Sequence, residues 1–195
     1  MSELVIGLIV EGHYDAAVLE TLARRVAQSR VTLYLRPCGG KQKLKRIFPG
    51  YLREFEHVHH GEAVEKALVV CDADQKPPDE VRASLSQEIR NRASWPADKL
   101  HNCVVRQEIE TWLLADENAI NSIAAGRGGQ DRVTRVPGEL ESITDPKQRL
   151  HHLLSKVGLR ATPEVYKQIA ANLDLETLRQ RCPLFREFEQ AVRDC

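Results

Sequence analysis

The sequence lacks any long apolar segment. Its longest apolar run, Leu4–Val10, has seven residues, whereas a helix needs about 20 apolar residues to cross a bilayer. No basic region precedes this run, as one does in a secretory signal peptide. These two absences argue against a membrane or secreted protein, and we expect a cytoplasmic protein without membrane contacts.

Paired cysteines and zinc-binding spacings are also lacking. The five cysteines are Cys38, Cys71, Cys103, Cys182 and Cys195. They include no CxxC pair, and a scattered odd number predicts reduced thiols rather than a disulfide framework. The histidine pairs at positions 59–60 and 151–152 have no third ligand at a suitable spacing, so we interpret them as surface histidines rather than zinc ligands.

Net charge is absent too, because 28 Lys and Arg residues balance 28 Asp and Glu residues. A strongly basic total would indicate nucleic-acid binding, and this total does not. The distribution is more informative, since the segment from Arg36 to Arg53 holds six basic residues and no acidic one. That segment predicts local positive charge where an anion docks.

What the sequence does have is an alternation of strand and helix patterns. Four short runs rich in Val, Ile and Leu are typical of buried parallel strands. They are Leu4–Val10, Val31–Leu35, Ala67–Cys71 and Asn102–Val105. The first helical pattern between them has Val18, Leu22 and Val26 as its apolar stripe, and the second precedes "PG" at Pro49. We therefore predict an α/β fold with a central parallel four-stranded sheet flanked by helices.

The chain beyond residue 106 is predicted to be helical. The segment "EIETWLLADENAI" has an apolar helical face on which Trp112 is expected to pack in the core. A loop at "GRGG" and further helices follow, with Thr162 and Asp174 as predicted N-caps. Residues 1–116 thus form the predicted α/β core, and residues 117–195 a helical extension packed on it in one compact domain.

Acidic residues follow three of the four predicted strands. They are Glu11 after the first, Asp72 and Asp74 after the third, and Glu108, Glu110 and Asp116 after the fourth. Because ligands bind beyond the carboxyl ends of parallel strands, we expect these side chains to converge there. Crowded carboxylates raise one another's pKa unless a cation compensates them, and oxygen ligands of this kind suit Mg²⁺ or Mn²⁺. The sequence therefore predicts a divalent-metal site at this edge of the sheet.

Some acidic residues also have a structural interpretation. Asp15 is equally well explained as the cap of the first helix, and Asp116 as the cap of the short helix that follows it. Glu108 and Glu110 also complement a helix dipole. We favour a functional role for Glu110 and a structural one for Glu108.

Glycines and lysines are expected at the same edge. Gly12 permits a tight turn after Glu11 and a close backbone approach to an anion. The segment "CGGKQK" follows the second strand and is expected to bring Gly39, Gly40 and Lys41 near the rim. A basic cluster that includes Lys41 and Lys43 is usually a solvated helix face, but at this position a lysine can meet phosphate. We predict a phosphate-binding role for Gly12, Gly40, Lys41 and Lys43.

Two motifs together resemble a known domain. "VEGHYD" followed by "VVCDAD" resembles the Toprim domain, the metal-binding module of topoisomerases, bacterial primases, small ribosomal-RNA maturases and overcoming-lysogenization-defect nucleases. The second half is similar to an uncharacterised prokaryotic branch of that superfamily in "EIETWLLAD", "DPKQRL" and "YKQIAANLDLETLRQRCPLFREF". The match runs in order over nearly the whole chain.

The resemblance implies a Toprim-like fold with an added helical C-terminal portion. It implies that Glu11 is a general acid or base or a metal ligand, and that Asp72 and Asp74 hold Mg²⁺. The branch motifs include Glu110, and they add Lys147 and Lys167 to the candidate phosphate-binding residues.

The leading functional hypothesis is a metal-dependent nuclease that hydrolyses phosphodiester bonds in DNA or RNA. Its predicted catalytic residues are Glu11, Asp72, Asp74 and Glu110, and the same residues with Asp116 are the predicted ligands of Mg²⁺ or Mn²⁺.

Two other classes compete with it. One is a catalytically weak Toprim-fold module that acts with a partner ATPase of the ABC or AAA type in an anti-phage or DNA-maintenance system. The chain has no GxxxxGK[ST] motif, so any ATP dependence would come from that partner. Haloacid-dehalogenase-like phosphatases and phosphoacceptor receiver domains fit poorly, because they carry their acid pair after the first strand.

Overall fold

The computed structural model describes residues 4–27, 31–56, 64–92 and 95–193. The strands are β1 Leu4–Val10, β2 Val31–Pro37, β3 Lys66–Asp72 and β4 Leu100–Val105. The helices between the strands are α1 His13–Ala27, α2 Lys41–Glu56 and α3 Pro78–Arg92. After β4 come α4 Glu110–Leu113, α5 Glu117–Gly126, α6 Pro146–Lys156, α7 Pro163–Asn172, α8 Leu175–Arg181 and α9 Phe185–Arg193. The predicted α/β class, with a four-stranded parallel sheet and a helical C-terminal portion, is confirmed.

The sheet has a reversal of winding at its centre. Its strand order is β2-β1-β3-β4 and all neighbouring strands are parallel. The chain moves from β1 outward to β2 and then crosses back to β3, so the direction of winding changes between β1 and β3. Ligands of open parallel sheets bind beyond the carboxyl ends of the strands at such a point. Glu11 directly follows β1 and Asp72 ends β3, so both lie there.

Each face of the sheet is covered by its own apolar core, because successive strand residues point to opposite faces. Ile6 and Leu8 of β1 pack with α1 and the C-terminal helices. Val5 packs on the other face, with α2 and α3. Gly7 lies on that second face, where an added Cβ would be 2.3 Å from the Phe55 ring. The missing side chain at Gly7 therefore lets α2 approach the sheet.

The C-terminal helices share a core with α1 and the sheet. The Arg25 guanidinium of α1 donates to two carbonyls at the end of α7, at 2.6 and 2.7 Å. The buried Lys66 of β3 donates to two carbonyls in the last turn of α9, at 2.9 and 2.8 Å. Both cations meet the negative end of a helix, which stabilises its packing. The predicted division of the chain at residue 116 stays a prediction.

Several local predictions are confirmed. Thr162 caps α7 by accepting from the Val165 N–H at 3.2 Å, and Asp174 caps α8 by accepting from the Thr177 N–H at 2.7 Å. Trp112 is 1% exposed, with its ring edge-on to the Phe185 ring in the core.

Four cysteines lie within the described residues, and all are buried free thiols: Cys38, Cys71, Cys103 and Cys182. Cys195 and the predicted surface histidines His59 and His60 lie outside the described residues. No helix in the described part of the chain is long and apolar enough to span a membrane.

Two helices differ from the sequence pattern. Helix α2 continues through Pro49 to Glu56, because Phe48, Leu52 and Phe55 bury one continuous apolar face against the sheet. This burial outweighs the backbone hydrogen bond that an internal proline removes. The segment "EIETWLLADENAI" forms two helices, since Asp116 begins α5 as its N-cap.

Candidate active site

An acidic cleft lies at the point where the sheet reverses its winding. It has a volume of about 250 Å³. Its lining residues are Glu11, Gly12, Tyr14, Asp15, Gly40, Asp72, Asp74, Glu108, Glu110 and Lys147. Six of the ten are acidic and one is basic, so the cleft holds a strong excess of negative charge. The structure thus brings together the acids that follow β1, β3 and β4.

Glu11 is the acid at the end of β1. Its Oε1 accepts a hydrogen bond from the Asp72 backbone N–H at 2.9 Å, which ties the ends of β1 and β3 together. Burial raises the pKa of Glu11 to about 7, against the lowering effects of that hydrogen bond and of the Lys41 charge. The charges of Asp15 and Asp74 raise it further. A carboxyl group with this pKa is suited to proton transfer at neutral pH.

Asp72 is the centre of the acidic cluster. Burial raises its pKa well above its ordinary value, and the charges of Asp15, Glu11, Glu110 and Asp74 act in the same direction. Charges from three separate chain segments therefore meet at this carboxyl group. A bound cation would relieve this repulsion.

Asp74 is held differently from Asp72. Its Oδ2 accepts from the Lys41 Nζ at 2.7 Å, and its side chain remains 57% exposed. Its backbone has a φ of 52°, and Gln107, which it bridges across the end of β3 and β4, has a φ of 61°. Two residues other than glycine in the left-handed region cost conformational energy, and such strain is concentrated at functional sites.

Lys41 begins α2 and faces the end of β3. Its Nζ also donates to the backbone carbonyl of Asp72. Burial alone would lower the pKa of Lys41, but the hydrogen bond and charge of Asp74, with the charge of Glu11, raise it overall. Lys41 is therefore a fixed cation at the rim of the cleft.

Gly40 brings the start of α2 to the cleft. Its N–H donates to the Glu11 carbonyl at 2.7 Å, and its own carbonyl accepts from the Leu44 N–H of α2. Its φ of 119° favours glycine. Nothing lies within 4 Å of where a Cβ would be, so this backbone faces open space in the cleft.

Asp15 lies in the first turn of α1 and lines the cleft. Its Oδ2 accepts from the Gly12 N–H at 2.6 Å, as an acidic side chain does in a capping box. Burial raises the pKa of Asp15, and the hydrogen bond from Gly12 and the charge of Lys147 act against that rise. Asp15 thus combines the helix-capping role with a place among the cleft carboxylates.

Glu110 begins α4 and is only 3% exposed. Its Oε1 accepts from the Tyr166 hydroxyl at 3.1 Å, and that hydroxyl lies 3.2 Å from His151 Nε2. Burial raises the pKa of Glu110, as does the charge of Glu108, while Lys147 and the Tyr166 hydrogen bond lower it. Helices α6 and α7 therefore hold this carboxylate at the cleft.

Glu108 has the structural contact expected of it and also lines the cleft. Its Oε2 accepts from the Lys147 backbone N–H at 3.2 Å, in the first turn of α6. The Lys147 side chain lines the cleft and is near enough to Asp15 and Glu110 for its charge to affect their pKa values.

Four predicted site residues are not part of the cleft lining: Lys41, which lies at the rim, and Asp116, Lys43 and Lys167. Asp116 is 6% exposed, and its two oxygens accept from the backbone N–H groups of Asn118 and Asp174, each at 3.0 Å. Both oxygens are thus engaged in structural contacts, as the capping interpretation expects. Lys43 is exposed on α2 with its side chain beside Gly39, and Lys167 is exposed on α7. Their predicted phosphate-binding roles stay predictions.

Two aromatic residues of the site were not predicted. Tyr14 follows the Glu11–Gly12 turn and lines the cleft, and Tyr166 holds Glu110. Tyr14 had a signal in the sequence, because it lies between two acidic residues in the turn after a strand. Tyr166 is the first residue of the C-terminal motif quoted above, but its contact with Glu110 could not be inferred because 56 residues separate the two.

The donor set of the cleft fits a hard divalent cation in its chemistry. All its acidic side chains offer carboxylate oxygens, which suit Mg²⁺ or Mn²⁺. Within the described part of the chain, no three Asp, Glu, His or Cys side chains are already grouped tightly enough to hold a metal ion. Cation binding at Asp72 and Glu110 would therefore involve rotation of their side chains toward a common point.

Comparison with known proteins finds similarity over nearly the whole chain. A family model described as "Domain of unknown function (DUF4276)" matches residues 10–193. No curated protein sequence matches significantly. The fold is similar to the C-terminal region of the Burkholderia pseudomallei OLD protein, with a TM-score of 0.51, 14% identity and 98% of each chain covered.

A second solved structure is similar to a comparable extent. It is the hypothetical protein PH0156 from Pyrococcus horikoshii OT3, with a TM-score of 0.54 and 16% identity, covering 97% of this chain and 99% of that one. At these identities the two similarities show the fold alone, and they confirm the Toprim-like fold class. The relationship to the Toprim domain at the level of sequence family stays a prediction.

Proposed function

This chain belongs to the DUF4276 family, and we propose that it is a metal-dependent nuclease of Toprim type that hydrolyses phosphodiester bonds. One observation carries the proposal: carboxylates from three chain segments share one small cleft at the reversal point of a parallel sheet, with raised pKa values at Glu11, Asp72 and Glu110. A structural protein gains no stability from such crowding, and perturbed carboxylates in a cleft are typical of catalytic sites.

The residues divide into proton-transferring and cation-binding groups. Glu11, whose pKa burial raises to about 7 in the absence of a cation, would accept the proton of the water that attacks phosphorus. The bond from phosphorus to the leaving sugar oxygen breaks as the new bond forms, and that oxygen takes a proton from solvent. Asp72 and Glu110 are the proposed ligands of Mg²⁺ or Mn²⁺, and Asp74 joins them once its ion pair with Lys41 opens. A cation bound there would supply Lewis-acid polarisation of the phosphoryl oxygen.

The lysines would neutralise the phosphate that enters this acidic cleft. Lys41 lies at its rim beside Asp74, and Lys147 lines it on the side of Glu110. Gly40 has no side chain to obstruct an approaching phosphate, and because the N–H groups of Gly12 and Gly40 already donate within the protein, the lysines would supply the contacts to phosphate oxygens. Lys43 extends the same positive charge along the exposed side of α2.

The biological setting is part of the same proposal. Overcoming-lysogenization-defect nucleases are among the proteins that the sequence motifs resemble, and the likeness to the OLD C-terminal region over the whole chain supports a nuclease-related role. We accordingly propose DNA or RNA in the cytoplasm as the substrate. An ATPase partner of the ABC or AAA type would belong to an anti-phage or DNA-maintenance system.

Cleavage assays on purified protein test this proposal. Labelled single-stranded and double-stranded DNA and RNA are incubated with Mg²⁺ or Mn²⁺, and with EDTA as a blank. The wild-type chain should cleave at least one substrate, and Asp72→Asn and Glu11→Gln should abolish cleavage while leaving the circular dichroism spectrum unchanged. The matched control is Asp79→Asn, which alters an exposed carboxylate on α3. Equal cleavage by wild type and Asp72→Asn would refute the assignment.

A further inference from the structure

Tyr14 is unusual in being a large apolar side chain exposed to solvent. It is 38% exposed, and among the described residues no other large hydrophobic side chain is as exposed. Its position is equally specific, because it lines the acidic cleft beside Glu11 and Asp15. Because this exposed ring gains little from packing in the core, we expect it to contact a ligand beside the proposed catalytic groups.

The Tyr14 ring is held in place by contacts on one side. It lies edge-on to the buried Tyr166 ring, with 4.9 Å between ring centroids and 72° between planes. Its hydroxyl donates to the Ala161 carbonyl at 3.4 Å. A ring fixed in this way loses little conformational entropy when a ligand packs on it.

We propose that Tyr14 is a stacking platform for an unpaired nucleobase, and that the cleft accordingly takes single-stranded or frayed nucleic acid. This inference deepens the proposed nuclease function and depends on it. Every base has a planar π face, so an aromatic side chain binds single strands with little dependence on sequence. Bases inside an intact duplex are already stacked on their neighbours and cannot use the platform.

The arrangement of charges around the ring is consistent with this ligand. Lys147 lines the same cleft and Lys41 pairs with Asp74 at its rim, so an entering strand has two cationic partners close to the acids. A strand whose phosphate enters between them would carry the attached base toward the cleft wall, where Tyr14 is the exposed aromatic side chain. Stacking thus adds a base contact to a site that otherwise binds only backbone.

A binding cycle separates stacking from phosphate contacts. Fluorescence anisotropy with Ca²⁺ in place of Mg²⁺ compares a labelled oligothymidylate with an abasic oligomer of equal length and phosphate number. Each is titrated with wild type, Tyr14→Phe and Tyr14→Leu. Leucine keeps an apolar contact with Tyr166 but has no π face, whereas phenylalanine keeps the ring and loses only the hydroxyl.

The proposal predicts that wild type and Tyr14→Phe bind the base-containing strand more tightly than the abasic strand by about 5- to 150-fold, the range expected for one base–aromatic stack. In Tyr14→Leu that preference should fall severalfold, while binding of the abasic strand stays within about twofold. The wild-type preference is measured without any variant, so the proposal stays testable if Tyr14→Leu does not fold.

The outcomes distinguish this inference from the function on which it rests. If wild type binds both strands with equal affinity, or Tyr14→Leu keeps the full preference for bases, stacking on Tyr14 is refuted and the nuclease proposal stands. If wild type binds neither strand nor a duplex, nucleic acid is not the ligand and both proposals fail. Tighter binding of a blunt duplex than of the single strand would also overturn the inference.

Discussion

Replacing Glu11 by glutamine should change how the stability of the protein depends on pH. In the unfolded chain this glutamate is solvated and ionises near its usual pKa of 4.5, whereas in the folded chain burial raises its pKa to about 7. The folded state therefore prefers the protonated form. As pH rises from about 4.5 to about 7, the unfolded state ionises first, so the wild-type protein loses stability across that range.

The size of this loss follows from the two pKa values. One pKa unit corresponds to about 1.4 kcal/mol, so ionisation of Glu11 costs the folded state about 3 kcal/mol once the pH is well above 7. Most of that cost arises between pH 5 and pH 8.5. Glutamine cannot ionise, yet its side-chain oxygen still accepts from the Asp72 N–H. Glu11→Gln should therefore gain about 2–3 kcal/mol relative to wild type between pH 5 and pH 8.5.

Urea unfolding at pH 5 and pH 8.5 in the presence of EDTA measures this difference. The chelator matters because a bound cation would lower the pKa of Glu11 and reduce the effect. Glu164→Gln, which alters an exposed glutamate on α7, serves as the control and should show no comparable change. If the free energies of unfolding of Glu11→Gln and wild type differ by the same amount at both pH values, the electrostatic description of the cleft is refuted.

Two further substitutions test contacts that hold the fold and the site. Gly7→Ala places a Cβ against the Phe55 ring and should lower the free energy of unfolding, measured in urea, by about 1–3 kcal/mol. Adding Phe55→Leu should recover part of that loss. An unchanged urea midpoint for Gly7→Ala would contradict the close packing of α2 on the sheet. Tyr166→Phe leaves the buried Glu110 oxygen without its donor and should cost about 1–3 kcal/mol. The control Tyr51→Phe, outside the cleft, should cost less, and equal losses would contradict a specific contact to Glu110.

The sheet and its reversal point could be predicted because their signal is local. Runs such as Leu4–Val10 bury both faces, so every residue in them is apolar. An acid directly after such a run must lie at the carboxyl edge, which is why Glu11 and Asp72 were expected to meet and do lie together. Helix caps such as Thr162 are equally local, since the side chain bonds three residues ahead.

Features that depend on distant contacts could not be predicted in the same way. The continuation of α2 through Pro49 reflects burial against the sheet, which no local pattern records. The partners of Glu110 and Asp74 come from α7 and α2, and only the folded chain shows that Tyr166 and Lys41 reach them. The sequence allowed Asp116 to be either a metal ligand or a helix cap. In the folded chain it also accepts a hydrogen bond from the Asp174 N–H, a structural contact that the sequence did not reveal.

Direct titration with Mn²⁺ tests the central claim, that the cleft carboxylates share a divalent cation. Isothermal calorimetry, or the loss of the free-Mn²⁺ signal in electron paramagnetic resonance, gives the affinity of wild type, Asp72→Asn and the exposed-site control Asp79→Asn. We predict that wild type and the control bind Mn²⁺ with equal affinity and that Asp72→Asn binds at least about tenfold more weakly. Equal binding by all three proteins, or no binding by wild type, would contradict it.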